Sequence, residues 1–386
     1  MECKAAFRIL PAVTSAGRAV ACFVGRRGIK FLFGAPAPAK SFLTGGAEMI
    51  IKTATSPLFR VGTALAILWT LGSMALAAGV VEIERILLTV SSLDRAEGFY
   101  RDGLGFETVG RGEMAGDGFA HLVGLRDGRA RTLTMRLGRE KVTFVKYDAP
   151  GKSYPADSAS PDRWFQHFAI VVSDMDKAYA RLQRVGFTPI SSGGPVTLPP
   201  ANGFVRAFKF RDPDGHPLEL LYFPSGQGRR VWAEGGDRVF LGIDHSAIGV
   251  ADTERSEAFY EKLLGMGVAY KAVNRGSTQE SLDGTFGAVV QITGLRPPAE
   301  TGPGVEFLEY RTPPTGRPAP VDTKSNDLAH VELAFTVDDL DGLVAKLREA
   351  RAPFVSPDAV ELGDGTYAAM VRDPDGHAIL LVQTRR

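Results

Sequence analysis

Arg211-Asp212-Pro213-Asp214-Gly215-His216 recurs unchanged as Arg372-Asp373-Pro374-Asp375-Gly376-His377, 161 residues later. A second pair of stretches keeps nearly the same offset. Ser92-Leu93-Asp94-Arg95-Ala96-Glu97-Gly98-Phe99-Tyr100 is answered 160 residues on by Asp252-Thr253-Glu254-Arg255-Ser256-Glu257-Ala258-Phe259-Tyr260. Two matches at nearly one offset mark a tandem duplication, with units at 80–225 and 239–386 joined by Gly226–Arg238. Pro followed by Asp-Gly is strong turn chemistry and here separates two strand-like runs.

Each unit repeats a smaller pattern inside itself. Val81–Val90 reads as a strand, after which Ser92 or Asp94 caps a short helix that stops at Gly103 and Gly105. Strand patterns follow at 105–110, 131–137 and 141–147. A new half begins at His167, where Phe168, Ile170 and Val172 alternate with His167, Ala169 and Val171. A helix from Asp174 to Arg184 ends at Gly186, and Arg206–Phe210 and Pro217–Phe223 close the half. The second unit runs in the same order, with the Pro-rich Thr312–Pro320 between its halves.

The strand-helix-strands order, the Phe-Tyr helix ending and the Asp-Pro-Asp-Gly turn resemble the vicinal oxygen chelate superfamily of glyoxalases, bleomycin-resistance proteins and extradiol dioxygenases. The resemblance implies an α+β fold of four βαβββ modules paired into two tandem domains, 80–225 and 239–386. It says less about activity, since one fold hosts many reactions.

The resemblance also implies up to four metal-ligand positions per cup, on the first and last strands of the paired modules. In the second unit these fall on His245, Glu306, His330 and Leu380, and in the first on Arg85, Thr143, His167 and Glu219. The expected metal site is therefore His245, Glu306 and His330. Strand alternation puts each of these opposite apolar neighbours such as Ile248, Phe307 and Val331, so that each faces the cup. Two His and one carboxylate with open positions suit one divalent Fe, Mn, Co, Ni or Zn ion. Glu332, two residues past His330 on the same face, is the expected catalytic base or replacement ligand. Leu380 replaces the usual terminal Glu, and no His lies shortly before Tyr367, which weighs against ring cleavage of a catechol. In the first unit Arg85 would repel a cation, and an Arg85–Glu219 salt bridge beside His167 is expected in its place. His216 and His377, each following a turn Gly, are read as structural, and His121 stands in a polar, loop-like stretch without a partner.

Composition bounds the rest. Of 45 Lys/Arg and 44 Asp/Glu, residues 1–77 hold nine and two, which leaves the body 36 against 42, a net of −6. A mildly acidic body offers no footprint for nucleic acid. Both cysteines, Cys3 and Cys22, precede the body, which thus has neither disulfide nor thiolate nucleophile. Residues 49–78 read as a signal peptide: Lys52 and Arg60 flank an apolar stretch of about 18 residues that ends in Ala75-Leu76-Ala77. An exported protein is expected, or one anchored by that helix if it stays uncleaved. Residues 1–48 read as an N-terminal extension, with Met49 as an alternative start. The expected function is a metal-dependent enzyme acting on a small oxygenated molecule that chelates the ion, its site in the second unit. The alternative is an exported resistance-type protein that binds a small molecule in the same cup without turnover.

Overall fold

The computed structural model describes residues 78–299, 301–356 and 358–385, and separately the antiparallel strands Phe23–Gly25 and Gly28–Lys30. The segment 49–77 and most of 1–48 lie outside the described residues. No helix among the described residues is long and apolar enough to cross a membrane.

Four modules follow one another, each opening with a strand that leads into a helix. The opening strands are Val80–Thr89, Phe165–Val172, Phe240–Gly249 and Val331–Val337. The helices start under side-chain caps from Ser92, Asp174, Asp252 and Asp339, each of which accepts a backbone N–H of the first turn. In modules 1 and 3 the last helical turn widens to a π-type turn, Phe99–Gly103 and Ala258–Leu263. Both members of each Phe-Tyr pair are buried there. Two short helices, Asp117–Val123 and Ser277–Asp283, were not expected from sequence. The first carries His121, exposed, where a loop was anticipated.

The sheets pair the modules in an unexpected way. The opening strand of module 2 runs antiparallel to that of module 3, and the resulting sheet takes its nine strands from 165–222 and 240–312. The opening strand of module 1 runs antiparallel to that of module 4, in an eight-stranded sheet built from 80–147 and 331–384. Each sequence repeat therefore gives one module to each sheet, and neither closes a cup of its own. All four opening strands bury an apolar face, Phe165–Val172 and Phe240–Gly249 along their whole length and Val80–Thr89 only in part, so apolar patterning alone does not choose the pairing.

One apolar core joins the four modules. It takes Ile86, Phe168, Ile243 and Leu333 from the four opening strands and Tyr100, Leu182, Tyr260 and Leu347 from the helices. The opposite, concave faces carry separate clusters, one on the eight-stranded sheet around Leu87, Phe119, Met370 and Leu380, and smaller ones on the nine-stranded sheet.

Candidate functional site

The nine-stranded cup brings four ligand-type side chains together. His167 and Glu219 come from the opening and last strands of module 2, His245 and Glu306 from those of module 3. Register places them: His167 lies opposite Ala247, His245 opposite Ala169, and Ala169 and Ala247 in turn lie beside Glu219 and Glu306. The two small alanines leave the middle of the cup open.

Ligand atoms of His167, Glu219 and His245 lie within 4.8 Å of one another. The Nε2 atoms of His167 and His245 stand 3.1 Å from Glu219 Oε2 and 3.5 Å from Glu306 Oε2. Neither nitrogen has a hydrogen-bonding partner, although both are buried. A buried polar atom left unpaired is costly, and these two, each beside a different carboxylate, are both open to a further partner. The far nitrogens are spoken for. Asp244 Oδ2 sits 3.1 Å from His245 Nδ1, and Gln166 Oε1 sits 2.9 Å from His167 Nδ1. Gln166 Nε2 donates to Ser160 O, so its oxygen is the atom turned to the ring and His167 Nδ1 carries the hydrogen. Asp244 is held in turn by Arg296 and by Trp232 Nε1 at 3.1 Å. Both rings thus keep Nδ1 as the donor to its partner, so that Nε2 is the nitrogen left to face an ion, as in a metal-binding His. Two imidazoles and two carboxylates fit a divalent transition ion.

The charges around this point are set by burial and by one another. Burial pushes the Glu219 carboxyl up, but His167, Lys209 and His245 outweigh it and hold Glu219 at about 2. Burial lowers both imidazoles. For His245 the carboxylates of Glu306, Asp244 and Glu219 reverse the effect and raise it to about 9. His167, with Lys209 and His245 nearby, stays below its ordinary value. Lys209, opposite Glu219 in the sheet, is buried and paired to Asp283 at 2.8 Å. Above the centre opens a cavity of ≈ 490 Å³, walled by Leu198, Val205, Leu221, Ile292 and Leu308, with Asn202, Asn274 and Gln279 among its polar groups.

The sequence-derived trio is divided by the fold. His245 and Glu306 meet, but His330 lies next to the opening strand of module 4, in the other sheet, and hydrogen-bonds Glu332 at 2.9 Å. The expectation of a site held by the second unit alone is corrected: His167 and Glu219 of the first unit stand where His330 and Leu380 were expected. Nor was His330 the matching residue. Ala334 pairs with Leu380 as Ala169 pairs with Glu219, so the counterpart of His167 is Glu332. The expected catalytic residue Glu332 accordingly sits at a ligand position of the other cup, away from the four-residue centre.

That other cup carries Arg85, Thr143, Glu332 and Leu380 at the four positions. Arg85 turns to Glu84 at 2.8 Å, Thr143 to Thr134 at 3.0 Å, and Leu380 packs among apolar side chains. The Arg85–Glu219 salt bridge is not formed, because its partners belong to different sheets. His216 and His377 bind backbone carbonyls of neighbouring segments, Leu328 O at 2.8 Å and Gly249 O at 2.9 Å, as structural residues do.

A fold of paired βαβββ modules around a His and Glu centre defines a class, and the sequence matches it. The chain belongs to the Glyoxalase/Bleomycin resistance protein/Dioxygenase superfamily, whose family model matches residues 82–220 and 242–381. It is 25% identical over 307 residues to a lactoylglutathione lyase of Arabidopsis thaliana, covering 78% of this chain and 90% of that protein. In fold it is similar to glyoxalase I from Zea mays, with TM-score 0.51, 17% identity, and 78% and 92% of the two chains covered. A mutant of the same maize enzyme gives TM-score 0.53 at 19% identity.

Proposed function

We propose that the protein is a metal-dependent enzyme of the glyoxalase type, with one divalent ion held by His167, Glu219, His245 and Glu306 in the cup that modules 2 and 3 share. The observation that carries this reading is the pair of buried, unpartnered Nε2 atoms facing two carboxylates. Likeness to a lactoylglutathione lyase supports the same class of chemistry. When bound, the ion would supply Lewis acidity to an oxygen of the substrate.

The protein's own part can be read from the site. His167, Glu219, His245 and Glu306 would hold the ion from the floor of the cup and leave its cavity side to a small oxygenated molecule. The cavity has the size of a small-molecule site and offers both an apolar wall and polar groups to a ligand. Glu219, held at about 2, stays ionised and serves as a ligand. Glu306, whose Oε1 accepts the Tyr270 hydroxyl, would offer Oε2 to the ion.

Metal analysis of the purified protein tests this without knowledge of the substrate. About one metal per chain is expected in the wild type and in His330→Ala, and its loss in His167→Ala and His245→Ala. Wild-type protein that stays metal-free after reconstitution with Fe(II), Mn, Co, Ni and Zn would overturn the reading. Ligand-induced stabilisation without product, in a metal-loaded sample, would replace the enzyme by a binding protein.

A further inference from the structure

Three neighbouring strands of module 3 carry Tyr270, Gly294 and Glu306 in a single row across the sheet. A register shift between Val268 and Tyr270 bulges the edge strand, and such bulges re-aim the side chains beside them. The Tyr270 ring lies over Gly294 and its hydroxyl donates to Glu306 Oε1. A Cβ at position 294 would stand 2.2 Å from Tyr270 Cε1 and 2.4 Å from its Cζ. The ring can therefore reach Glu306 only because residue 294 has no side chain.

The chain contains its own comparison. In the eight-stranded sheet the same row, with the same register shift, reads Gly110, Thr134 and Thr143. There the carboxylate, the glycine and the tyrosine are all replaced, and the two threonines bond each other instead. Tyrosine over glycine thus accompanies glutamate in this molecule and is missing where glutamate is missing.

We propose that Tyr270 is a positioning residue of the metal centre. Its hydroxyl occupies Glu306 Oε1, so the carboxylate meets the ion through Oε2 alone, and Gly294 is the clearance that allows it. This rests on the reading of the centre given above. Without the tyrosine, Glu306 is no longer held facing the ion.

Cobalt(II) titration of the full-length protein, followed by visible absorption, separates the outcomes. In Tyr270→Phe and in Gly294→Ala, cobalt affinity is expected to fall ~10–100-fold, the usual effect of losing a group that orients a ligand. The cobalt bands should shift in the same sense in both. The double variant should be no weaker than the weaker single one, because both changes remove one bond. Should Gly294→Ala fail to fold, Tyr270→Phe decides alone. Unchanged affinity and bands in Tyr270→Phe would overturn the positioning role while leaving the metal centre intact. Wild-type protein that takes up no cobalt would remove the centre itself, and the proposal with it.

Discussion

In the metal-free protein His245 and His167 titrate in opposite directions, although both belong to one centre. Burial lowers each, but His245 faces three carboxylates and is raised from 6.5 to about 9, while His167 stays low. At neutral pH His245 thus carries a proton where a ligand lone pair is needed, and metal must displace it. Uptake at pH 7.5 in weak buffer is expected to release close to one proton per ion. Apparent affinity should rise about tenfold per pH unit towards pH 9 and then level off. A pH-indicator titration checks this, and proton-free uptake would mean that His245 is neutral. The stability of the metal-free protein has the opposite dependence. A pKa raised on folding contributes fully below about 6.5, and that contribution is lost as pH climbs through 9. The residues behind the rings were harder to foresee. Asp244 and Gln166 each directly precede their histidine, a pattern visible in the sequence, but a neighbour along a strand ordinarily points to the opposite face.

At the scale of elements, the two repeated motifs turn out to be each other's contacts. Tyr100, which ends the first helix, donates to Asp212 of the Asp-Pro-Asp-Gly turn at 3.1 Å, and Tyr260 donates to Asp373 at the same distance. Arg95 and Arg255 pair with Asp214 and Asp375 of those turns. The tyrosine bonds are buried and the arginine pairs lie nearer the surface, and all four tie the two modules of a repeat together. Tyr260→Phe is expected to destabilise the protein by ~1–3 kcal/mol, since it leaves a buried carboxylate short of a donor. Urea unfolding measures this, and a change below about 0.5 kcal/mol would show that Asp373 finds another partner. The ligand positions were legible through these same elements. Arg85, His167, His245 and Glu332 each stand seven residues before a helix cap, at Ser92, Asp174, Asp252 and Asp339. That spacing singles out Glu332 over His330. The more conspicuous histidine, two residues away on the same face, drew the assignment off register.

Which modules share a sheet was not legible, because partner choice lies in long-range contacts between strands of the same pattern. The linker 226–238 looked like a boundary between domains, yet it joins the two modules that build one cup. Fragments 78–225 and 239–386 provide a test at this scale. Neither should bind metal as a monomer, since each holds one His and one Glu of the centre, and mixing them should restore about one ion per pair. A monomeric 239–386 fragment with the affinity of the whole chain would contradict the exchange. The shared cups also bear on how the protein behaves on dilution. A lone repeat leaves one edge of the opening strand of each module unpaired, so its cups could form only by collision with a second copy, and mass action would dissolve them at low concentration. A short linker replaces that collision by an internal one, at an effective concentration on the order of millimolar. Covalent joining also ends the equivalence that two identical copies would impose on their two cups. One cup carries two His and two Glu while the other packs Leu380 into an apolar interior, an asymmetry that identical subunits could not hold.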